Sequence, residues 1–211
     1  MSGETTELSL PIAVHGGKAE CLTEIFREEV NLVVWERRLV SGCIGFSNRF
    51  VQEAGVFERF IGIEAGENVE QILPAWALEL PGVQPWLADV SEIVEMFRCL
   101  FEPAAVGLRL HVLPSTMCPR FHTDRVPARL LVTYAGRGTE WLPESLVNRP
   151  DQPGPLPDQT VSEVDIQVLP TGAVSLLKGE SWIGNEGRGL VHRSPAPGES
   201  PRLVLGLDWL S

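Results

Sequence analysis

Positive charge is scarce in this chain. Against 28 acidic residues stand 17 basic ones, a formal net charge of −11 over 211 residues. Binding to a phosphate backbone needs a basic face, and no arginine cluster supplies one, so nucleic acid is excluded as a partner. An anionic membrane surface is excluded on the same ground. A small acidic ligand is not, because one buried arginine suffices for a carboxylate. Long apolar runs are missing too: no stretch approaches the roughly 20 residues of a membrane span. Residues Met1 to Leu10 carry Glu4 and Glu7 and no basic residue, unlike a secretory signal. Cysteines number four (Cys21, Cys43, Cys99, Cys118), and none form a C-x-x-C pair. With no export signal they read as free thiols in a reducing cytosol, so the expected location is cytoplasmic. Internal repeats and heptads are absent. No G-x-S-x-G elbow supports Ser/His/Asp hydrolysis, and no helical pattern follows Gly184-Asn-Glu-Gly187-Arg-Gly189 to make it a phosphate cradle.

What is present fits one globular domain of ordinary composition, 44% hydrophobic. Two textures divide it. Residues 1–106 read as a mixed helical region. Leu22, Ile25 and Phe26 have helical spacing, Asn31 to Trp35 reads as a strand, and Val90 to Phe101 places Val90, Ile93, Val94, Phe97, Leu100 and Phe101 on one helix face. Asp89 and Glu92 make a capping box for that helix and Pro103 stops it. Residues 107–211 change to short strands, expected near 107–113, 119–124, 129–134, 161–169, 173–178, 188–193 and 202–209. Leu108, Leu110 and Val112 alternate there with Arg109, His111 and Leu113. The expected fold is α+β, the helical region packed on a jelly roll within one integrated domain. Five prolines (Pro143, Pro150, Pro153, Pro155, Pro157) make residues 143–158 a long loop, of the kind that serves as a lid.

The strand half carries the chemistry. His122-Thr-Asp124 sets an imidazole and a carboxylate two residues apart, hence on one face of a strand. His192 ends another predicted strand, and Arg202 follows ten residues later. Two histidines and one carboxylate are the facial triad of non-haem Fe(II) oxygenases, a set that holds the ion without saturating it. Arg202 offers a permanently charged fork for the far carboxylate of an organic acid. Arg109, Arg120, Arg125 and Arg129 surround the H-x-D segment as surface ion pairs or as holders of an anionic substrate. Trp141 and Trp182 lie in flanking turns, as packing or as pocket walls. His111 and His15 have no partner that the sequence names.

These segments resemble a known catalytic core. Leu108 to Asp124, then Arg129-Leu-Leu-Val-Thr-Tyr134, Gly138-Thr-Glu-Trp141, Pro170 to Leu177, and His192 to Arg202 with Leu207-Asp-Trp209, are similar to the double-stranded β-helix of the 2-oxoglutarate/Fe(II) dioxygenases. The resemblance covers roughly residues 107–209. It implies that His122, Asp124 and His192 bind iron, that Arg202 holds the 2-oxoglutarate C5 carboxylate, and that Tyr134 assists. The substrate would be a small molecule or a protein side chain, near Arg109, Arg129, Trp141 and Trp182. Trp35-Glu-Arg37, Cys118-Pro-x-x-His122-x-Asp124 and Gly138-Thr-Glu-Trp141 also resemble a bacterial domain family of unknown function, number 1826. That resemblance implies a metal theme and a metallochaperone GTPase as a partner. Cys118 keeps a second reading open. A closed set of Cys118, His122, Asp124 and His192 suits Zn²⁺ and a role in metal homeostasis. A third reading is a non-catalytic jelly-roll interaction module. A homodimer is the default assembly.

Overall fold

The alternation seen in the sequence becomes a two-faced sheet. The computed structural model describes residues 9–150, 154–196 and 198–210. Along the chain lie β1 (Ile12–Gly16), β2 (Val30–Trp35), α1 (Ser41–Ala54), β3 (Phe57–Ile63), α2 (Val83–Phe101), β4 (Ala105–Leu113) and β5 (Ala128–Ala135). They are followed by β6 (Glu140–Trp141), β7 (Gln167–Val168), β8 (Val174–Lys178), β9 (His192–Arg193) and β10 (Arg202–Leu210). Seven strands form the main sheet in the order β1-β2-β8-β5-β10-β4-β3, antiparallel except for the β1–β2 pair. A small sheet, β7-β6-β9, covers part of one face.

Side chains two apart on a strand share a face. Leu108, Leu110 and Val112 of β4, Leu130 and Val132 of β5 and Leu203, Leu205 and Leu207 of β10 point one way and bury against α1 and α2. Both helices supply matching stripes. Cys43, Phe46, Phe50 and Val51 come from α1, and Trp86, Val90, Ile93, Val94 and Phe97 from α2. The opposite face divides in two. At the β2–β8 end, Leu32, Val34 and Leu177 pack with Trp141, Leu169 and Leu190 in a second, smaller core between the sheets. At the β10–β4 end the sheets leave a cleft.

Several expectations are corrected by these contacts. The region 1–106 holds not only α1 and α2 but also β1, β2 and β3, which extend the main sheet at both of its edges. Helix α2 starts at Val83, so Asp89 lies inside it and caps nothing. The start is set by Gly82, in the left-handed region at φ 86°, where a Cβ would fall 2.3 Å from the Gly42 carbonyl oxygen of α1. Asp89 instead takes both Nη groups of Arg37, and the Tyr134 hydroxyl donates to its Oδ2 at 2.6 Å. Residues 119–124 form no strand, only a bridge between His122 and His192. The predicted strands 161–169 and 188–193 shrink to β7 and β9. Within the proline-rich loop, residues 151–153 lie outside the described residues. Its first part is tied down by Arg149, which donates to Glu144 and to the Gly189 carbonyl. The first eight residues, and with them most of the Met1 to Leu10 segment, also lie outside the described residues. No helix among the described residues is long and apolar enough to cross a membrane.

Candidate metal centre

His122 and His192 come together through backbone hydrogen bonds, not through a continuous strand. Each donates its N–H to the other's carbonyl at 3.0 Å. That bridge sets the two imidazoles side by side, ring centroids 4.6 Å apart and planes tilted by 49°. Beyond His122 the chain runs against the end of β8: Gly179 N–H donates to the Pro127 carbonyl and Glu180 N–H to the Asp124 carbonyl, both at 2.9 Å. Only glycine fits at 179, since a Cβ there would lie 2.1 Å from the Val126 carbonyl oxygen. Asp124 is thereby brought under both rings. Its Oδ2 lies 3.4 Å from His192 Nε2 and its Oδ1 3.9 Å from His122 Nε2.

The tautomers suit a metal. Nδ1 of His122 lies 2.9 Å from the Arg120 carbonyl and Nδ1 of His192 lies 3.1 Å from the Leu190 carbonyl. A carbonyl only accepts, so each Nδ1 donates its proton there, and Nε2 is left as the ring atom that faces Asp124 and is placed to ligate. Burial pushes the His192 pKa below its ordinary value, against the pull of the Asp124 carboxylate. The ring is therefore neutral, as a ligand must be. An ion at about 2.0–2.2 Å from each donor requires donors no more than about 4.4 Å apart. Those of His122, Asp124 and His192 all lie within 4.8 Å of one another, so closure needs only a few tenths of an ångström. Side-chain exposure rises from 7% at His192 to 37% at His122, which opens the site on one side.

Behind the carboxylate lies a chain of ion pairs. Arg129 donates from Nη1 to Asp124 Oδ2 at 2.9 Å and from Nε to Asp208 Oδ1 at 2.7 Å. Asp208 also accepts from Arg109 Nε at 2.8 Å. Burial works against the Arg129 charge, but Asp124 and Asp208 outweigh it and raise its pKa. On the small sheet, Glu140 accepts from Arg193 Nε at 2.7 Å and pairs with Arg137 at 2.9 Å, which fixes β6 against β9 and so fixes His192.

His122 and His192 line a cleft of about 310 Å³ together with Arg109, Arg129, Arg193 and Arg202. Arg202 is 6% exposed. It donates to the Arg137 carbonyl at 2.6 Å and to Thr139 Oγ1 at 3.1 Å, and no carboxylate among the described residues pairs with it. Burial lowers its pKa to about 10, so it stays charged at neutral pH.

Other expected site residues lie elsewhere or play other parts. Tyr134 shares the parity of Leu130 and Val132, so it faces the helices and bonds to Asp89, not to anything in the cleft. Trp182 packs against Phe26 and Phe101, with Lys178 over its ring. Trp141 is buried in the second core and lines a separate cavity of about 700 Å³ with Ile12, Glu36 and Val168. Cys118 is exposed and lines the cleft, but it is not in the cluster of possible ligands, which is limited to His122, Asp124 and His192 among the described residues. Asp208 and Glu58 were not foreseen. A lone carboxylate inside the apolar run Leu203 to Leu210 was the available sign for Asp208.

None of the curated proteins matches the chain. Solved structures share its fold. A C-terminally truncated protein of Neurospora crassa, crystallised in apo form, superposes with a TM-score of 0.51 at 13% identity, over 98% of this chain and 96% of that one. The dioxygenase for auxin oxidation 1 of Arabidopsis thaliana, solved as a binary complex with 2-oxoglutarate, gives 0.51 at 10% identity, over 96% and 93%. With the fold and its His-Asp-His cluster in place, the family follows from the match of a model across residues 16–208: the chain belongs to the family described as "Protein of unknown function (DUF1826)".

Proposed function

We propose that the chain is an Fe(II)- and 2-oxoglutarate-dependent oxygenase. One observation carries the reading: two oriented imidazoles converge with a carboxylate at a cleft that also holds a buried arginine, which no carboxylate among the described residues pairs with. His122, Asp124 and His192 would hold the metal through two Nε2 atoms and one carboxylate oxygen, a donor set that leaves other positions open. Arg202 would take a carboxylate of the cosubstrate, with Thr139 Oγ1 fixing the guanidinium plane. Bound there, Fe(II) and 2-oxoglutarate supply the oxidising chemistry. The protein's share is to orient and to exclude water. Leu131 and Val204 make the cleft floor apolar, and Arg129 holds the Asp124 carboxylate in place. We read the two facing sheets as a double-stranded β-helix, with α1 and α2 buttressing the larger one.

The test is direct. The purified chain is loaded anaerobically with Fe(II), and 2-oxoglutarate is added. A weak visible charge-transfer band is expected, followed on admission of oxygen by slow succinate formation. Arg202→Met should abolish both without lowering metal content. Well-folded, metal-replete protein that gives neither signal rejects the cosubstrate.

A further inference from the structure

We propose that the substrate of this site is a small organic acid whose carboxylate seats on Arg109, beside His111, at the outer wall of the cleft. The assignment rests on the oxygenase reading above. The first observation is charge. The chain carries −11 overall, yet the charged side chains lining the cleft are four arginines and one glutamate, Glu58. The carboxylates behind the arginines are shared. Asp208 serves both Arg109 and Arg129, and Glu140 serves both Arg137 and Arg193. Asp124, the other partner of Arg129, is committed to the metal. The wall therefore keeps positive charge that no protein group offsets.

The second observation is how Arg109 is held. Nε is fixed by Asp208, and the guanidinium lies over the Phe60 ring, 4.7 Å from its centroid. Its side chain is 44% exposed, and neither Nη atom has an acceptor among the described residues. A flat, immobilised pair of donors is thus presented to whatever enters, the geometry that matches a carboxylate. The third is His111, two residues along β4 and on the same face. Its Nδ1 is buried in the cleft wall with no partner among the described residues. A ligand polar group beside the carboxylate would satisfy it.

Position separates this subsite from the cosubstrate's. Arg109 lies opposite Gly206 in the β10–β4 register, and Arg202 is four residues back along β10, about 13 Å of strand. Gly206, opposite Arg109, puts no side chain on the floor there; a Cβ would meet Leu131 at 3.5 Å and Arg109 Cβ and the Leu130 carbonyl oxygen at 3.9 Å. A cleft of about 310 Å³ that must also take the cosubstrate has room for a small molecule. Glu58, opposite His111 on β3, would favour an amine, but it is exposed at the rim and outnumbered.

Ligand-observed saturation-transfer NMR on the full chain, with and without Mn(II) and 2-oxoglutarate, tests this. The probes are phenylacetate and hexanoate, the corresponding amides and amines, phenyl phosphate, and an acidic peptide. Both carboxylates should bind, and the amides and amines should not. With 2-oxoglutarate occupying Arg202, Arg109→Met should weaken carboxylate binding at least tenfold and Arg109→Lys less. Carboxylates lost in Arg202→Met but kept in Arg109→Met, preferred binding of amines or phenyl phosphate, binding of the peptide alone, or no binding at all would each overturn the proposal. Arg109-dependent acid binding without succinate formation removes the oxygenase reading and keeps the anion subsite. Succinate formation without Arg109-dependent binding does the reverse.

Discussion

Arg129→Lys should weaken metal binding at the His-Asp-His cluster by about 10–100-fold, or about 1.4–2.7 kcal/mol. The number follows from what the fork does. One guanidinium reaches Asp124 at 2.9 Å and Asp208 at 2.7 Å through different nitrogens, so the carboxylate is clamped against a second, buried carboxylate on β10. No other N–H among the described residues donates to the Asp124 side chain. A lysine keeps the charge but is a single point on a flexible stem, and it cannot hold two acids in fixed directions. Charge is therefore constant in this comparison and orientation is what changes. Arg129→Met alters both. Removing a cation near a dication favours binding, so methionine alone would confuse the two effects.

The assay is Mn(II) titration of the metal-free chain, with free ion read by electron paramagnetic resonance well below the melting temperature of each variant. Asp208→Asn, which loosens the same arginine from behind, should lower affinity by part of the Arg129→Lys loss. The double variant should fall short of the sum, because the two residues act through one contact. Arg129→Lys binding Mn(II) as tightly as the unaltered chain would refute the clamp. So would strict additivity with Asp208→Asn.

Three further outcomes follow from other contacts. Arg37→Met strands Asp89 with Tyr134 alone, in a pair whose side chains are 12% and 14% exposed. Breaking a buried pair costs about 3–5 kcal/mol. At about 2–4 °C per kcal/mol for a chain of this size, thermal unfolding should move down by about 6–20 °C while Mn(II) affinity stays put. Gly179→Ala pushes a methyl into the Val126 carbonyl oxygen, 2.1 Å away. Overpacking of about 1–3 kcal/mol should appear together with a loss of Mn(II) affinity, because Asp124 sits on the displaced segment, and normal affinity in a destabilised variant would contradict that link. His111 has its pKa pushed down by burial, with Glu58 opposing and Arg109 and Arg129 reinforcing. The unfolded chain then takes the proton first as pH falls, so this contribution to stability is complete above about 6.5 and shrinks below it. Melting temperatures of His111→Gln should accordingly change less between pH 7 and pH 5 than those of the parent, and equal slopes would reject the assignment.

How much of this could be read from residues alone depends on whether the signal was local. The period-two alternation of Leu108 to Leu113 is local, and it placed β4 and its two faces correctly. So was the apolar stripe of Val90 to Phe101, although the helix begins seven residues earlier, where Gly82 and Pro85 hid it. Helix α1 carries apolar residues at helical spacing too (Cys43, Phe46, Phe50), but Gly42 and Gly45 dilute the pattern. The short edge strand β1 gives little to a periodicity count, and β3 buries little beyond Ile63. Their assignment comes from pairing with β2 and β4, which are distant in the chain.

The site divides in the same way. His122 and Asp124 were expected to converge because a strand sets alternate residues on one face. They do converge, but through a bridge to His192 and a glycine contact at the end of β8. The parity rule reaches further where a true strand exists. On β5, Arg129, Leu131 and Thr133 share one face, while Leu130, Val132 and Tyr134 share the other. Once Leu130 and Val132 are given to the core, Tyr134 must follow them and Arg129 must face the cleft. What parity could not supply was the partner. Asp208 meets Arg129 because β10 runs antiparallel to β5 with those two residues in register, a fact about pairing across 79 residues of chain. A carboxylate within an apolar strand is costly unless paired. In Leu203 to Leu210 it marks the position where a cation from a neighbouring strand must arrive, and Arg109 and Arg129 are the two that do.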